Sequence, residues 1–155
     1  MSAVATSKIV LLNDGHLLQV AALVYRYQGK NLEVLLITSR GTGRWIFPKG
    51  WPMPGRSSAQ AALREAYEEA GVRGTAEAHA IGSYEYKKYD LPEGQNLFTV
   101  DVFPILFSHQ EKKWPEKQQR QYEWVSPQEA AKRVDEEGLK EILLDFNPLP
   151  NAAIA

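Results

Sequence analysis

The chain contains no cysteine. This absence excludes disulfide bonds, thiolate nucleophiles and thiolate metal sites, so a bound metal must be held by oxygen or imidazole ligands. A long apolar run is also missing, which leaves no segment able to span a bilayer. The first residues lack the apolar core of a signal peptide as well. We therefore expect a cytoplasmic protein with no membrane partner.

An excess of charge of either sign is missing too. The 18 Lys and Arg residues nearly balance the 19 Asp and Glu residues, which gives a net charge of −1. This balance argues against a protein that coats nucleic acid through bulk charge, although local basic clusters could still bind phosphates. A length of 155 residues with 44% hydrophobic residues is ordinary for one globular domain. We expect a single domain over 1–155.

Apolar runs bounded by turn residues predict alternating strands and helices. Strands are predicted at 18–27, 32–38, 45–47, 78–89, 97–107 and 121–125. Helices are predicted from Ser57 to Gly71, from Ser126 to Val134 and over 135–146, with loops at 48–56 and 109–119. Strand pairs with separated helices are typical of an α+β fold or a mixed αβα sandwich.

The helix after Ser57 has the clearest local signals. Ser57 and Gln60 have the spacing of a capping box, and Gly71 is suited to end the helix. Six apolar residues recur at helical spacing between these ends and form one stripe: Ala59, Ala62, Leu63, Ala66, Tyr67 and Ala70. The acidic residues lie off that stripe. The helix should therefore pack on one side and present carboxylates elsewhere.

Three carboxylates crowd the end of this predicted helix. Glu65 is a surface neighbour of both Glu68 and Glu69, and each pair repels by roughly 0.2–0.5 kcal/mol if nothing neutralises it. The negative end of the helix dipole adds to this cost. A hard divalent cation held by carboxylate oxygens would explain the arrangement. We take Glu65, Glu68 and Glu69 as candidate metal ligands.

The spacing around these carboxylates resembles a known motif. From Gly50 the chain has five residues, Arg56, seven residues, and then Arg-Glu-Ala-Tyr-Glu-Glu-Ala-Gly-Val at 64–72. This is similar to the Nudix box, which reads glycine, five residues, glutamate, seven residues, then Arg-Glu-apolar-any-Glu-Glu-any-Gly-apolar. Every defined position of the box at 50–72 matches except Arg56, where the family has glutamate.

The resemblance implies a Nudix-type αβα sandwich with a mixed sheet, in which the box folds as loop–helix–loop. It also implies a hydrolase that cleaves pyrophosphate linkages with Mg²⁺ or Mn²⁺, in a protein that is a monomer or a homodimer. By position in the box, Glu68 and Glu69 are expected metal ligands. Glu65 is expected to bind metal or to take a proton from the attacking water. Arg64 is expected to orient a box carboxylate, and Gly50 to support the metal site through its backbone.

A narrower resemblance concerns the substrate. Ser39-Arg40, Arg44-Trp45-Ile46, the box, and the strand at 121–125 followed by a helix are similar to diphosphoinositol polyphosphate phosphohydrolases. That Nudix branch also cleaves diadenosine polyphosphates. The resemblance implies a diphosphoinositol polyphosphate or a dinucleoside polyphosphate as the phosphorylated small-molecule substrate. Cations that flank the box or lie in the late basic loop are the candidate phosphate ligands: Arg40, Arg44 and Lys49, then Lys112, Lys113, Lys117 and Arg120.

Several alternatives remain open at this level. A second enzymatic hypothesis is removal of pyrophosphate from an RNA 5′ end, or housecleaning of damaged nucleoside triphosphates. A third is a non-catalytic nucleotide-binding Nudix domain, which Arg56 motivates. Arg56 could instead bind a substrate phosphate or pair with a helix carboxylate. Only the RNA 5′ end would make nucleic acid a partner.

Residues outside the box could complete the site. Nudix enzymes often use a further carboxylate as base or extra metal ligand, and Glu116 and Glu123 are the candidates here. The histidines, His16, His79 and His109, show no mutual spacing suited to metal ligation, and we predict no role for them.

Overall fold

A mixed β-sheet with helices on both faces organises residues 8–148, the part of the chain described by the computed structural model. Its strands are β1 (Leu17–Gln28), β2 (Asn31–Thr38), β3 (Trp45–Ile46), β4 (Lys49–Gly50), β5 (Val72–Ala76), β6 (Gly82–Lys87), β7 (Leu97–Gln110) and β8 (Tyr122–Val125). Its helices are α1 (Ser58–Ala70), α2 (Pro127–Arg133) and α3 (Glu137–Asp145). This is the αβα sandwich that the sequence predicts.

The centre of the sheet is the parallel pair of β1 and β7, in which Leu17 to Tyr25 lie beside Phe98 to Leu106. The other pairings are antiparallel: β1 with β2 and β4, β7 with β5 and β6, and β2 with β3 and β8. The short strand β4 pairs Lys49 with Ala21 of β1. This pairing fixes the start of the box beside the central strand.

Side chains of β1 alternate between two apolar cores. Leu23 packs with Leu139 of α3 on one face, and Val24 packs with Ala62 of α1 on the other. Burying a leucine or valine side chain contributes about 1.5–3 kcal/mol, so each helix is fixed to its face mainly by such contacts. None of the helices in residues 8–148 is long and apolar enough to cross a membrane.

Both ends of α1 have the local chemistry that the sequence predicts. Ser57 Oγ accepts a hydrogen bond from the Gln60 backbone N–H at 3.1 Å, and Gln60 Oε1 accepts one from the Ser57 N–H at 2.8 Å. Gly71 ends the helix with φ of +73°. A β-carbon there would also lie 2.3 Å from Trp114 Cε3. Any other residue at Gly71 would have a strained backbone, and its β-carbon would overlap the Trp114 ring.

The structure differs from the sequence prediction at β4, which lies within the predicted loop at 48–56, and again after α1. The strand predicted at 78–89 is limited to β6, and β5 was not predicted at all. β5 has few apolar residues and a register shift between Arg73 and Gly74, so the alternation typical of a strand is absent from its sequence. Pairing with β7, which extends to Gln110, stabilises it. Long-range contacts therefore decide the structure of this segment.

Candidate active site

Two glutamates of α1 face the backbone of β4. Glu69 is only 6% exposed, and its Oε1 accepts a hydrogen bond from the Lys49 backbone N–H at 3.3 Å. A β-carbon on Gly50 would lie 2.4 Å from the carboxyl carbon of Glu65. The absence of a side chain at Gly50 therefore allows β4 to lie directly against both carboxylates.

The environment of this pair disfavours two negative charges. Burial, with a hydrogen bond to Glu69 and like charges nearby, raises the pKa of Glu65 to about 9. Burial also raises the pKa of Glu69, although the charge of Arg120 acts in the opposite direction. A divalent cation would offset both the burial cost and the repulsion. The two carboxyl groups and the glycine beside them thus fit a hard metal ion.

Glu68 is held separately by Arg64. Arg64 Nε donates to Glu68 Oε2 at 2.6 Å, one helical turn away. Glu68 is thus paired with Arg64, while Glu65 and Glu69 are hydrogen-bonded to each other. A metal shared by all three would require Glu68 to share its carboxylate with Arg64.

A fourth carboxylate, that of Glu116, lies beside the cluster. The backbone N–H of Glu116 donates to the carbonyl of Glu68 at 3.0 Å, which folds the loop after β7 against the end of α1. Arg120 Nη2 lies 2.9 Å from Glu116 Oε1 and 3.8 Å from Glu69 Oε1. The charge of Glu116 helps to raise the pKa of Glu65. Arg120 thus pairs with carboxylates of the cluster, and its role as a phosphate contact stays a prediction.

The other late residues lie away from the cluster or within their own loop. Glu123, the alternative to Glu116, is an exposed partner of Arg133 at 2.9 Å. Lys117 Nζ donates to the carbonyl of Lys112 at 2.6 Å and lies over the Trp114 ring. Of the two carboxylates that the sequence left open, Glu116 is the one near the box glutamates.

Lys49 connects the carboxylates to a neighbouring aromatic group. Its Nζ lies 3.2 Å from Tyr86 Oη and 4.7 Å from the centre of the Tyr86 ring, while its backbone contacts Glu69. Burial lowers the pKa of Lys49 to about 8. Arg40 lies at the rim, where it donates to Gln119 at 3.0 Å and approaches Glu116 at 3.9 Å.

Arg44 lines a separate cavity of about 720 Å³, which we call the Arg44 cavity. Arg44 Nη1 lies 3.1 Å from Glu136 Oε2 and 3.3 Å from Asp135 Oδ2. The Glu136 side chain is only 10% exposed, and its Oε1 has no hydrogen-bond partner among the described residues. The cavity is lined by Thr42, Arg44, Glu85, Tyr86, Lys87, Lys88, Tyr89, Asp90, Asp135 and Glu136. No sequence motif marked Tyr86, Tyr89 or Glu136.

Arg56 departs from the family pattern and lies at the surface. Its side chain is exposed and takes part in none of the ion pairs among residues 8–148. The alternative in which Arg56 pairs with a helix carboxylate is therefore wrong. Arg56 instead lies beside Arg64 and Arg73 in a small cleft of about 330 Å³.

Two further features lie outside the predicted site. His16 Nδ1 is 3.7 Å from Asp14, 3.6 Å from Glu85 and 2.9 Å from Thr99 Oγ1. The sequence could not predict this group because Glu85 is remote along the chain from Asp14 and His16. The Thr99 hydroxyl already forms a hydrogen bond with His16 Nδ1, so we assign no metal to the group. A cavity of about 590 Å³ beside α3, lined by His79 among others, contains none of the predicted site residues.

Comparisons with known proteins agree on one family. A family model described as the NUDIX domain matches residues 15–146. Nudix hydrolase 21, chloroplastic, of Arabidopsis thaliana is 37% identical over 131 residues, which cover 82% of this chain and 64% of that protein. Nudix hydrolase 4 of the same plant is 32% identical over 135 residues, 82% of this chain and 63% of that protein. The chain thus spans less than two thirds of the length of these two relatives.

Solved structures share the fold. The Escherichia coli dihydroneopterin triphosphate pyrophosphohydrolase superimposes with a TM-score of 0.65 at 18% identity, covering 83% of this chain and 93% of that one. A Caenorhabditis elegans Ap4A hydrolase binary complex superimposes with a TM-score of 0.60 at 22% identity, covering 82% of this chain and 92% of that one. The NUDIX domain of Shewanella oneidensis NrtR, complexed with ADP ribose, superimposes with a TM-score of 0.61 at 20% identity, covering 82% of this chain and 84% of that one.

Proposed function

Because this chain belongs to the Nudix family, we propose that it hydrolyses a pyrophosphate linkage with a divalent metal ion. The observation that carries the proposal is the carboxylate pair of Glu65 and Glu69, which lies against Gly50 at the end of α1. Such a pair is costly for stability and well suited to a hard cation. The curated relatives are named as Nudix hydrolases, which supports a catalytic role.

Each residue of the cluster has a distinct part in this proposal. Glu65, Glu68 and Glu69 would hold Mg²⁺ or Mn²⁺, and Arg64 would orient Glu68. When bound, the metal supplies charge shielding for the phosphates and lowers the pKa of a coordinated water. Glu116, held by its ion pair with an arginine, is the carboxylate that we propose takes a proton from the attacking water.

Cations around the carboxylates would hold the phosphates. Lys49 reaches from the backbone contact with Glu69 towards Tyr86, and Arg40 lies over the loop that carries Glu116. Both would neutralise oxygens that gain charge in the transition state. Arg44 lies farther along, in the cavity that bears its name, and would contact the part of the substrate beyond the cleaved linkage.

The lining of the Arg44 cavity favours a dinucleoside polyphosphate over a diphosphoinositol polyphosphate. Three cations and four carboxylates line the cavity. This near balance of charge is a poor match for a highly negative inositol ring, which carries phosphates on most of its carbons. The exposed ring of Tyr89, which lines this cavity, is suited to stack on a nucleobase. The Ap4A hydrolase among the structural neighbours is consistent with this choice.

A panel of substrates tests the proposal. Dinucleoside polyphosphates, diphosphoinositol polyphosphates, nucleoside triphosphates and triphosphorylated RNA would each be assayed with Mg²⁺ and with Mn²⁺, and the products identified. We expect the highest kcat/KM with a dinucleoside polyphosphate. Preference for triphosphorylated RNA or damaged triphosphates would favour the second enzymatic hypothesis. Tight binding with no product in any assay would favour the non-catalytic nucleotide-binding domain. The cytoplasmic location and the monomeric or dimeric state stay predictions.

A further inference from the structure

Three arginines and no carboxylate line the small cleft beside the first turns of α1. We call it the arginine cleft, and its lining residues are Gly55, Arg56, Gln60, Leu63, Arg64 and Arg73. The guanidinium groups come from the loop before α1, from α1 itself and from β5. Three positive charges are thus gathered at one place in a chain whose net charge is −1.

The Tyr67 ring holds two of the three guanidinium groups in place. The Arg73 guanidinium lies 3.8 Å from the centre of the Tyr67 ring, and that of Arg64 lies 5.2 Å from the same ring. A planar guanidinium stacked on an aromatic ring has lost part of its rotational freedom, so less entropy is lost when it binds an anion. Two of the three cations are therefore partly pre-organised.

The carboxylates near these arginines do not fill the cleft. Arg64 pairs with Glu68 and Arg73 approaches Glu111 at 3.5 Å, but neither glutamate is a lining residue. Arg56 has no ion-pair partner among residues 8–148. The first turn of α1 carries no acidic residue that would offset the positive end of the helix dipole. The dipole therefore adds to the positive electrostatic potential of the three arginines.

We propose that the arginine cleft is a second anion site, which binds phosphate groups of a polyphosphorylated ligand outside the carboxylate cluster. Guanidinium groups donate paired hydrogen bonds to phosphate oxygens and remain charged at every physiological pH. The cleft is less than half the volume of the Arg44 cavity, so it suits phosphate groups better than a nucleoside. A glutamate at position 56, as in the family pattern, would place a negative charge here. Arg56 reverses that charge.

The site is linked to the carboxylate cluster through Arg64. Arg64 lines the cleft and also donates to Glu68, so an anion bound in the cleft shares a guanidinium with a proposed metal ligand. The phosphates could belong to a distant part of the substrate or to a separate anion. The recognition chemistry is the same in both cases.

Binding of inorganic tripolyphosphate in EDTA, followed by calorimetry, tests the proposal without metal or turnover. We expect Arg56→Gln to weaken binding about tenfold, as for the loss of one hydrogen-bonded charge. Arg56→Glu should weaken binding further, and Arg56→Lys should retain part of the affinity. The matched control is Lys30→Gln, which removes one exposed charge from the turn between β1 and β2 and should change Kd less than about twofold.

Arg56 is exposed, so its variants should fold, and thermal unfolding checks this. Equal Kd values for wild type, Arg56→Gln and Arg56→Glu would overturn the proposal, as would no binding by the wild type. A second assay then identifies the source of the phosphates. If Arg56→Gln raises KM more for a long than for a short phosphate bridge, the site belongs to the substrate. If KM is unchanged while tripolyphosphate binding weakens, a separate anion uses the site. Failure of the proposed hydrolysis would leave the metal-free result unaffected.

Discussion

The position of a β-carbon on Gly50 lies 2.4 Å from the carboxyl carbon of Glu65, which is closer than two non-bonded carbon atoms can approach. The backbone at Gly50 does not need a positive φ. The glycine of the box is therefore explained by contact with a carboxylate, because any side chain would displace Glu65 from its place beside Glu69.

Gly50→Ala should weaken metal binding. The added methyl group would push Glu65 away from β4, and we expect at least a tenfold increase in the Kd for Mn²⁺, equivalent to about 1.4 kcal/mol. Titration calorimetry measures this directly. The matched control is Gly41→Ala, because nothing lies within 4 Å of a β-carbon at Gly41. Equal Mn²⁺ affinity in both variants would contradict the account of Gly50.

Divalent metal should stabilise the fold through the carboxylate pair. A cation that binds only the native state at a hundred times its Kd contributes about 2.7 kcal/mol, so Mg²⁺ or Mn²⁺ should raise Tm. Without metal, Glu69→Gln should be at least as stable as the wild type, because burial disfavours the charge of Glu69, as the raised pKa of its carboxyl shows, and the amide carries no charge. The variant should gain little from metal. An equal metal-induced rise in Tm for both proteins would place the cation elsewhere.

The two carboxylates outside the box should differ in their effect on turnover. Glu116 lies against the end of α1, whereas Glu123 pairs with Arg133 at the surface. If Glu116 takes the proton from water, Glu116→Gln should lower kcat by about a hundredfold or more with a smaller change in KM. Glu123→Gln should leave kcat unchanged. The opposite pattern would assign the role to Glu123.

Tyr89 should contribute to binding of a base. Its ring is 86% exposed and lines the Arg44 cavity, so Tyr89→Ala should not disturb the fold. Loss of one stacking contact should raise KM for a dinucleoside polyphosphate about tenfold. A diphosphoinositol polyphosphate, which has no base, is the control substrate and should show no such change. Equal effects on both substrates would argue against a stacked base.

Local signals explain how much of the site the sequence could predict. The capping box, the apolar stripe and the Gly71 cap of α1 depend on residues a few positions apart, and the helix begins and ends where they indicate. The contact between Glu116 and the end of α1 depends on a loop far along the chain. For that reason the sequence left Glu116 and Glu123 as alternatives.

The residues whose surroundings the sequence did not predict are those whose partners are distant along the chain. Arg120 looks like one member of a basic loop, and only the fold shows that it is enclosed between Glu69 and Glu116. Glu136 lies in the helix predicted over 135–146, yet its side chain lines the Arg44 cavity, is only 10% exposed and has one oxygen without a hydrogen-bond partner among the described residues. A charge is visible in a sequence, but its burial and its partner come from packing.

The most direct test of the central claim is the rate of dinucleoside polyphosphate hydrolysis by the wild type and by Glu69→Gln, with Mg²⁺ and with EDTA. We expect product only from the wild type with metal, and a kcat for Glu69→Gln lower by about a hundredfold or more, roughly 2.7 kcal/mol of transition-state stabilisation. The variant should remain folded. Equal turnover by folded Glu69→Gln, or wild-type turnover that persists in EDTA, would contradict metal-dependent hydrolysis at this carboxylate cluster.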